Sequence, residues 1–196
     1  MTLISCDCRV VLINIKGGMT SRSAAVVAAA ERISSYVPSG SGIAFTGGDV
    51  ATLFALTKEN MEAIYNACEW KWDDSVKLKE LSHSKNRFLQ SVDLGGSVTG
   101  FVCFRFLVDD KRPVLYVYEL QVRAAHAGKG IGKSLMAELE RLCMQQAPGI
   151  QAILLTCFKH NEAAILFYKK LGFKPDKTSP DNRSYVILSK PVNAFR

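Results

Sequence analysis

The stretch Ala127-Gly128-Lys129-Gly130-Ile131-Gly132-Lys133-Ser134 decides how this chain folds. It lies between an apolar run at 114–122 and an amphipathic run at 130–146, so it joins a strand to a helix. Its three glycines let the backbone turn sharply and approach a ligand. The free N–H groups of the helix start then point at an anion, and Lys129 and Lys133 add charge. A tight loop with solvated lysines is the plainer alternative. Two phosphate motifs fail on single positions. The first glycine of a Walker A loop ending in Gly132-Lys133-Ser134 falls on Ala127, and the next apolar run, 152–158, carries no Asp for magnesium. The dinucleotide fingerprint starting at Gly128 needs a third glycine where Lys133 stands.

Outward from the loop, the helix at 130–146 has the stripe Ile131, Leu135, Leu139, Leu142 and Cys143. A short apolar strand follows at 152–158. Asn161 caps a helix that Leu171-Gly172 stops, and a last strand spans 183–189. Upstream, 87–93 and 97–108 read as strands joined by a Gly95-Gly96 hairpin turn, followed by the strand at 114–122. Asp49 caps a helix with Leu53, Leu56, Met61, Ile64 and Tyr65 inside, and Asp73-Asp74 start another that runs to about Lys85. Helices, antiparallel strands and then strand–helix–strand–helix–strand predict an α+β or α/β fold with one mixed sheet. Residues 1–42 form an extension, poorly ordered or helical, ahead of a domain at 43–196. Within it, 21–36 can form a helix striped by Val26, Ala30, Ile33 and Val37, and Met19 is a candidate alternative start.

The 196 residues are 48% hydrophobic and 22% charged, values of a globule rather than a disordered chain. No apolar run approaches the ~18 residues of a membrane helix, so no membrane role is expected. Six cysteines without a C-x-x-C pair, beside three histidines, argue for reduced thiols and no metal site. The net charge of +7 points to an anionic partner. A basic nucleic-acid module would interleave aromatics with its cations. Lys77, Lys79, Lys85 and Arg87 have no aromatic pair beside them and read as a solvated helix face, so no direct nucleic-acid role is expected.

The loop resembles the Gln/Arg-x-x-Gly-x-Gly/Ala pyrophosphate loop of the GCN5-related N-acetyltransferases (GNAT), with Ala127 at the first position instead of Gln or Arg. Asn161-x-x-Ala164-x-x-x-Tyr168-x-x-x-Gly172-Phe173 resembles that superfamily's second signature. Within it, Leu56-Thr57-Lys58-x-Asn60-Met61, Glu69-Trp70-x-Trp72, Phe104-Arg105-Phe106, Leu115-Tyr116-x-Tyr118-Glu119-x-Gln121, Phe158-Lys159-His160-Asn161 and Ser184-Tyr185-x-Ile187-Leu188-Ser189 resemble the NatD-type N-alpha-acetyltransferases of histone N-termini. The likeness covers about residues 43–190.

The resemblance implies a mostly antiparallel mixed sheet flanked by helices, with a splayed strand pair holding acetyl-CoA. It implies direct attack of a protein's α-amine on the thioester, with Glu119 as base and Tyr116 and Tyr118 walling the channel or holding a water. Tyr168 is the general acid or a ring packed on the cofactor. An α-amine titrates near 7.7–8.0, so one base suffices where a lysine near 10.4 would need more help. Acetyl-CoA would meet the loop residues Ala127 to Ser134, the backbones of Gln121, Val122 and Arg123, and Thr156 and Asn161. The peptide, beginning Ser-Gly-Arg-Gly, would meet Tyr65, Trp70, Tyr185 and the loop with Thr178 and Ser179. Leu107 stands where an acidic residue is expected to read the substrate arginine, with Asp109 or Asp110 as substitutes. An acidic pocket around Glu119 inside a basic shell is expected. The implied partners are histone tails, met by a monomer without auxiliary subunit in nucleus and cytoplasm. Another protein N-terminus or a small amine is the alternative substrate, and a non-catalytic basic module the alternative class.

Overall fold

A computed structural model describes residues 20–39 and 42–192. The elements are α1 (Ser21–Glu31), β1 (Ile43–Thr46), α2 (Val50–Asn66), α3 (Asp74–Leu81), β2 (Arg87–Val92), β3 (Val98–Asp109), β4 (Arg112–Val122), α4 (Ile131–Gln146), β5 (Ala152–Phe158), α5 (Glu162–Lys170), β6 (Lys174–Pro175) and β7 (Tyr185–Pro191). Seven strands form one sheet in the order β1-β2-β3-β4-β5-β7-β6. Every pair is antiparallel except β4–β5, which the crossover helix α4 makes parallel. The expectation of one mixed, mostly antiparallel sheet holds. Cys6, Cys8 and the Met19 start lie outside the described residues.

Apolar side chains on both faces of the sheet explain why β3 and β4 are buried almost end to end. One core contains Val27 and Ala30 of α1, Leu135, Leu139 and Leu142 of α4, and Tyr168 of α5. The other contains Leu53, Leu56, Met61 and Tyr65 of α2 and Leu81 of α3. The capping readings hold: Asp49 accepts from Ala51 and Thr52, Asp73 from Ser75 and Val76, and Asn161 from Ala164.

Several boundaries differ from expectation. The α3 helix stops at Leu81, not Lys85, because Asn86 Nδ2 takes the carbonyls of Glu80 and Leu81. The short strands β1 and β6 carry too few residues for a period to show. The α1 helix ends at Glu31 and buries Ser23, Val27 and Ala30, whereas Val37 of the expected stripe is exposed. After α1, Tyr36 Oη donates to Glu138 Oε2 (2.8 Å), Ser39 binds the same carboxylate, and Arg141 closes it at 2.6 Å. Tyr36 is held neutral, its hydroxyl pushed well up by burial and by the Glu138 carboxylate. The segment from Tyr36 to Ser39 is thereby fastened to α4. Glu138→Ala strands the Tyr36 hydroxyl and is expected to cost ~2 kcal/mol. For a chain of this length that lowers Tm by roughly 4–8 °C in a calorimetric melt.

Candidate active site

The loop before α4 adopts the conformation its glycines allow. Gly128 and Gly130 have φ of +78° and +83°, the left-handed region where a side chain is strained. Gly130 is the N-cap of α4, no side chain caps that end, and no acidic residue lies in its first turn. A Cβ at Gly128 or Gly130 would meet nothing within 4 Å, so the loop is open rather than packed against protein. Lys129, Lys133 and Ser134 are exposed beside it, and Ala127 is half-buried. A bare helix start with flanking lysines fits a phosphate group. Among the described residues no cluster of His, Cys, Asp or Glu is placed to hold a metal ion.

The central strands then separate. The β4–β5 ladder runs from Val114↔Ala152 to Val117↔Leu155 and stops, although the strands continue to Val122 and Phe158. At the same height the β3–β4 register slips: Cys103 faces Glu119, and Phe104 faces Val117. Tyr118 is the extra residue of this bulge. Strict alternation would put Tyr118 and Glu119 on opposite faces. With the bulge, Tyr116 and Tyr118 lie in the α2/α3-face core, and Glu119 and Gln121 reach partners on the same side. Their rings lie 5.3 Å apart, and Tyr116 Oη shares a 2.5 Å hydrogen bond with Thr156 Oγ1 across the splay. Arg105 stacks 4.0 Å over the Tyr118 ring.

Glu119 is fully buried and ion-paired. Its Oε1 is 2.8 Å from Lys77 Nζ, and its Oε2 accepts from Gln121 Nε2 at 2.8 Å. Lys77 Nζ also reaches Glu80 Oε2 at 3.0 Å and Tyr65 Oη at 3.1 Å. Burial alone would lower the Lys77 pKa, but the charges of Glu119 and Glu80 outweigh it and hold the ammonium well above its ordinary value. Asn60 Nδ2 spans from α2 to Gln121 Oε1 and the Val122 carbonyl.

An aromatic cluster borders this group. Tyr65 meets Phe158 edge-on at 5.0 Å, Phe158 meets Trp70 at 5.7 Å, and Trp70 meets Tyr185 at 5.4 Å. Tyr65, Trp70 and Tyr185 are thus brought together from α2, its C-terminal loop and β7. Leu107 packs on the same face as the tyrosines.

Other expected residues fall elsewhere. The Arg123 N–H donates to Thr99 O and its carbonyl accepts from His126, so its backbone faces β3 and the following turn rather than the splay. That is a correction; by the same register Gln121 also faces β3, its carbonyl against Gly100, and Val122 between them turns toward the open end. Thr178 and Ser179 bind Asp176 and the Ile187 N–H. Asp109 pairs with Arg112 and Asp110 with Lys177, so neither stands ready for a substrate arginine. Asn161 caps α5. Tyr168 is fully buried in the core on the opposite face from Glu119, its ring edge-on to Phe167 and Phe173.

Lys77 is the largest correction. It is 3% exposed, not part of a solvated basic face. Lys85 pairs with Glu31, and Arg87 donates to the carbonyls of Glu31, Ile33 and Asn86, which weakens the basic-module reading further. Lys77, Glu80 and Leu81 share one face of α3 at i, i+3 and i+4, a spacing that marks the buried side. Instead of a purely acidic pocket, Glu119 lies in a cluster of two carboxylates and one ammonium.

Comparison with known proteins agrees with this geometry. The acetyltransferase (GNAT) family model matches residues 53–173. N-alpha-acetyltransferase 40 of Saccharomyces cerevisiae is 33% identical over 94 residues, 45% of this chain and 33% of that protein. The aligned part thus spans about a third of the relative's length. A GNAT-family acetyltransferase from Staphylococcus aureus Mu50 superposes with a TM-score of 0.61 at 17% identity, covering 77% of this chain and 99% of that one. Arabidopsis thaliana NAA60 in complex with acetyl-CoA superposes at 0.53 and 16% identity, covering 78% and 99%. The splayed sheet and the bare glycine-opened helix define a GNAT fold, and the chain belongs to the acetyltransferase (GNAT) family. That family uses acetyl-CoA.

Proposed function

We propose that this chain transfers acetyl from acetyl-CoA to the free N-terminal α-amine of histones beginning Ser-Gly-Arg-Gly, with Glu119 as general base. The observation that carries the reading is the β4 bulge, which turns Tyr118 and Glu119 onto one face beside Tyr65, Trp70 and Tyr185. Similarity to N-alpha-acetyltransferase 40 supports the α-amine as acceptor.

The acetyl donor supplies an activated thioester, and the chain supplies position and proton movement. Ile131, Gly132 and Lys133 N–H groups hold the phosphates. The open end of β4 at Val122 meets the pantetheine arm as an added strand would. The amine nitrogen forms a bond to the thioester carbonyl carbon, and its proton passes to Glu119 directly or through a water held by Tyr116 and Tyr118. Collapse breaks the C–S bond, and the thiolate takes a proton, with Tyr168 as the candidate acid. The aromatic cluster admits a chain that begins with small residues. The proposal includes action as a monomer without auxiliary subunit, in nucleus and cytoplasm.

Leu107 on the site face favours a second reading, another protein N-terminus or a small amine, because an apolar side chain cannot pair with the substrate arginine. The deciding measurement is acetyl-CoA turnover on Ser-Gly-Arg-Gly peptides against Met-, Ala- and Lys-containing controls. Preference for Ser-Gly-Arg-Gly is expected, and its absence rejects the histone substrate. In the same assay Leu107→Asp is expected to raise kcat/KM for the arginine peptide about tenfold, the worth of one charge-assisted hydrogen bond. An unchanged value means that arginine is read elsewhere.

A further inference from the structure

We propose that Lys77 is the positioning residue of this acetyl transfer, its buried ammonium holding the Glu119 carboxylate ionised and fixed in plane at the splay. The inference rests on the reading of Glu119 as base. Two donors from different elements set the carboxylate. Lys77 Nζ, from α3, binds Oε1, and Gln121 Nε2, from β4, binds Oε2. Gln121 is in turn held by Asn60 of α2. Lys77 is itself fixed by Glu80 Oε2 and Tyr65 Oη, and its ammonium lies 5.1 Å from the Tyr65 ring centroid. Tyr65, a member of the aromatic cluster, thus shares one cation with Glu119.

The other groups facing the pair come from β3 and β4. Arg105 donates to the Glu80 carbonyl and stacks on Tyr118. Cys103 stands opposite Glu119 in register, and burial keeps its thiol protonated by pushing its pKa well up. Glu80 is therefore the second carboxylate that competes for Lys77. With the ammonium gone, two buried carboxylates lie side by side, and such pairs hold a proton between them. A buried lysine among carboxylates is a poor way to gain stability, since apolar replacements are often as stable. Its presence is better explained by what it does to Glu119.

The test is the pH profile of kcat/KM with acetyl-CoA and a Ser-Gly-Arg-Gly peptide. Below the peptide amine's pKa of about 7.7–8.0, log kcat/KM falls with slope one. Below the pKa of the enzyme's base it falls with slope two. Lys77→Met is expected to move that second break up by ~1–3 pH units, since an opposite charge at this distance is removed. Glu80→Gln moves it down, because a like charge is removed. The double variant K77M/E80Q loses one charge of each sign and serves where K77M alone does not fold; its break still lies above wild type. Lys77→Arg keeps the charge and returns the break toward wild type. If the Lys77 variants slow the reaction equally at every pH with the break unmoved, Lys77 is a structural residue and the proposal is overturned. Glu119→Gln separates this from the parent reading. A lower break that disappears in E119Q but stays put in K77M rejects Lys77 alone. A break that survives in E119Q rejects Glu119 as base.

Discussion

Glu119→Gln is expected to lower kcat ~100- to 10,000-fold, the usual contribution of a positioned base. The substitution keeps the shape of the side chain and removes its ability to take a proton together with its charge, leaving Glu80 as the carboxylate paired with Lys77. Glu119 touches Lys77 and Gln121, whereas the helix start at Gly130 is a separate element. Acetyl-CoA affinity is therefore expected to stay within about threefold of wild type by titration calorimetry. The amide also meets a conflict: its oxygen can accept from Lys77, but its nitrogen then faces the Gln121 Nε2 donor unless that amide turns over. A modest loss of Tm is expected for this reason and is separable from the kinetic effect at temperatures below the melt. Undiminished turnover in steady-state kinetics rejects Glu119 as the base.

The second large effect is at Gly130. Its φ of +83° is a conformation that β-branched residues avoid, at a cost of ~1–2 kcal/mol. No atom lies within 4 Å of a Cβ built there, so protein contacts do not oppose a valine. The backbone does, and it relaxes by rotating the first turn of α4, whose N–H groups are the proposed phosphate donors. Gly130→Val is expected to weaken acetyl-CoA binding ~5- to 30-fold, which is the same ~1–2 kcal/mol spent on restoring the loop. Gly47→Ala is the matched control, since Gly47 has open space and no positive φ. Calorimetric affinity of Gly130→Val within about threefold of the control removes this loop as the phosphate site.

The glycine loop and the elements around it were legible because their signals are local. Asp49, Asp73 and Asn161 cap helices through N–H groups two or three residues ahead, and a cap needs no distant partner. The strand Ala152–Phe158 is apolar at every position but Thr156 because both its faces are covered, and that shows in the letters themselves. The short strands β1 and β6 exist only because β2 and β7 offer an edge to pair with. The candidate site residues came through resemblance, and Tyr65, Trp70 and Tyr185, which it assigns to the peptide, lie in one aromatic cluster. The electrostatics of the site did not. Lys77 is 42 residues from Glu119 along the chain, and charge in a sequence carries no sign of burial until the packing is known.

The sequence by itself determined the order of elements, the cap positions and the anion-ready start of α4, because each depends on backbone preferences over a few residues. Tertiary structure alone decided three things. One is the bulge that turns Tyr118 and Glu119 to the same face, since a register slip is a relation between two strands. Another is the fastening of the segment after α1 to α4 through Tyr36 and Glu138, which are 102 residues apart. The last is the burial of Lys77 between two carboxylates. Removal from water strengthens that ion cluster and holds the Lys77 ammonium well above its ordinary pKa.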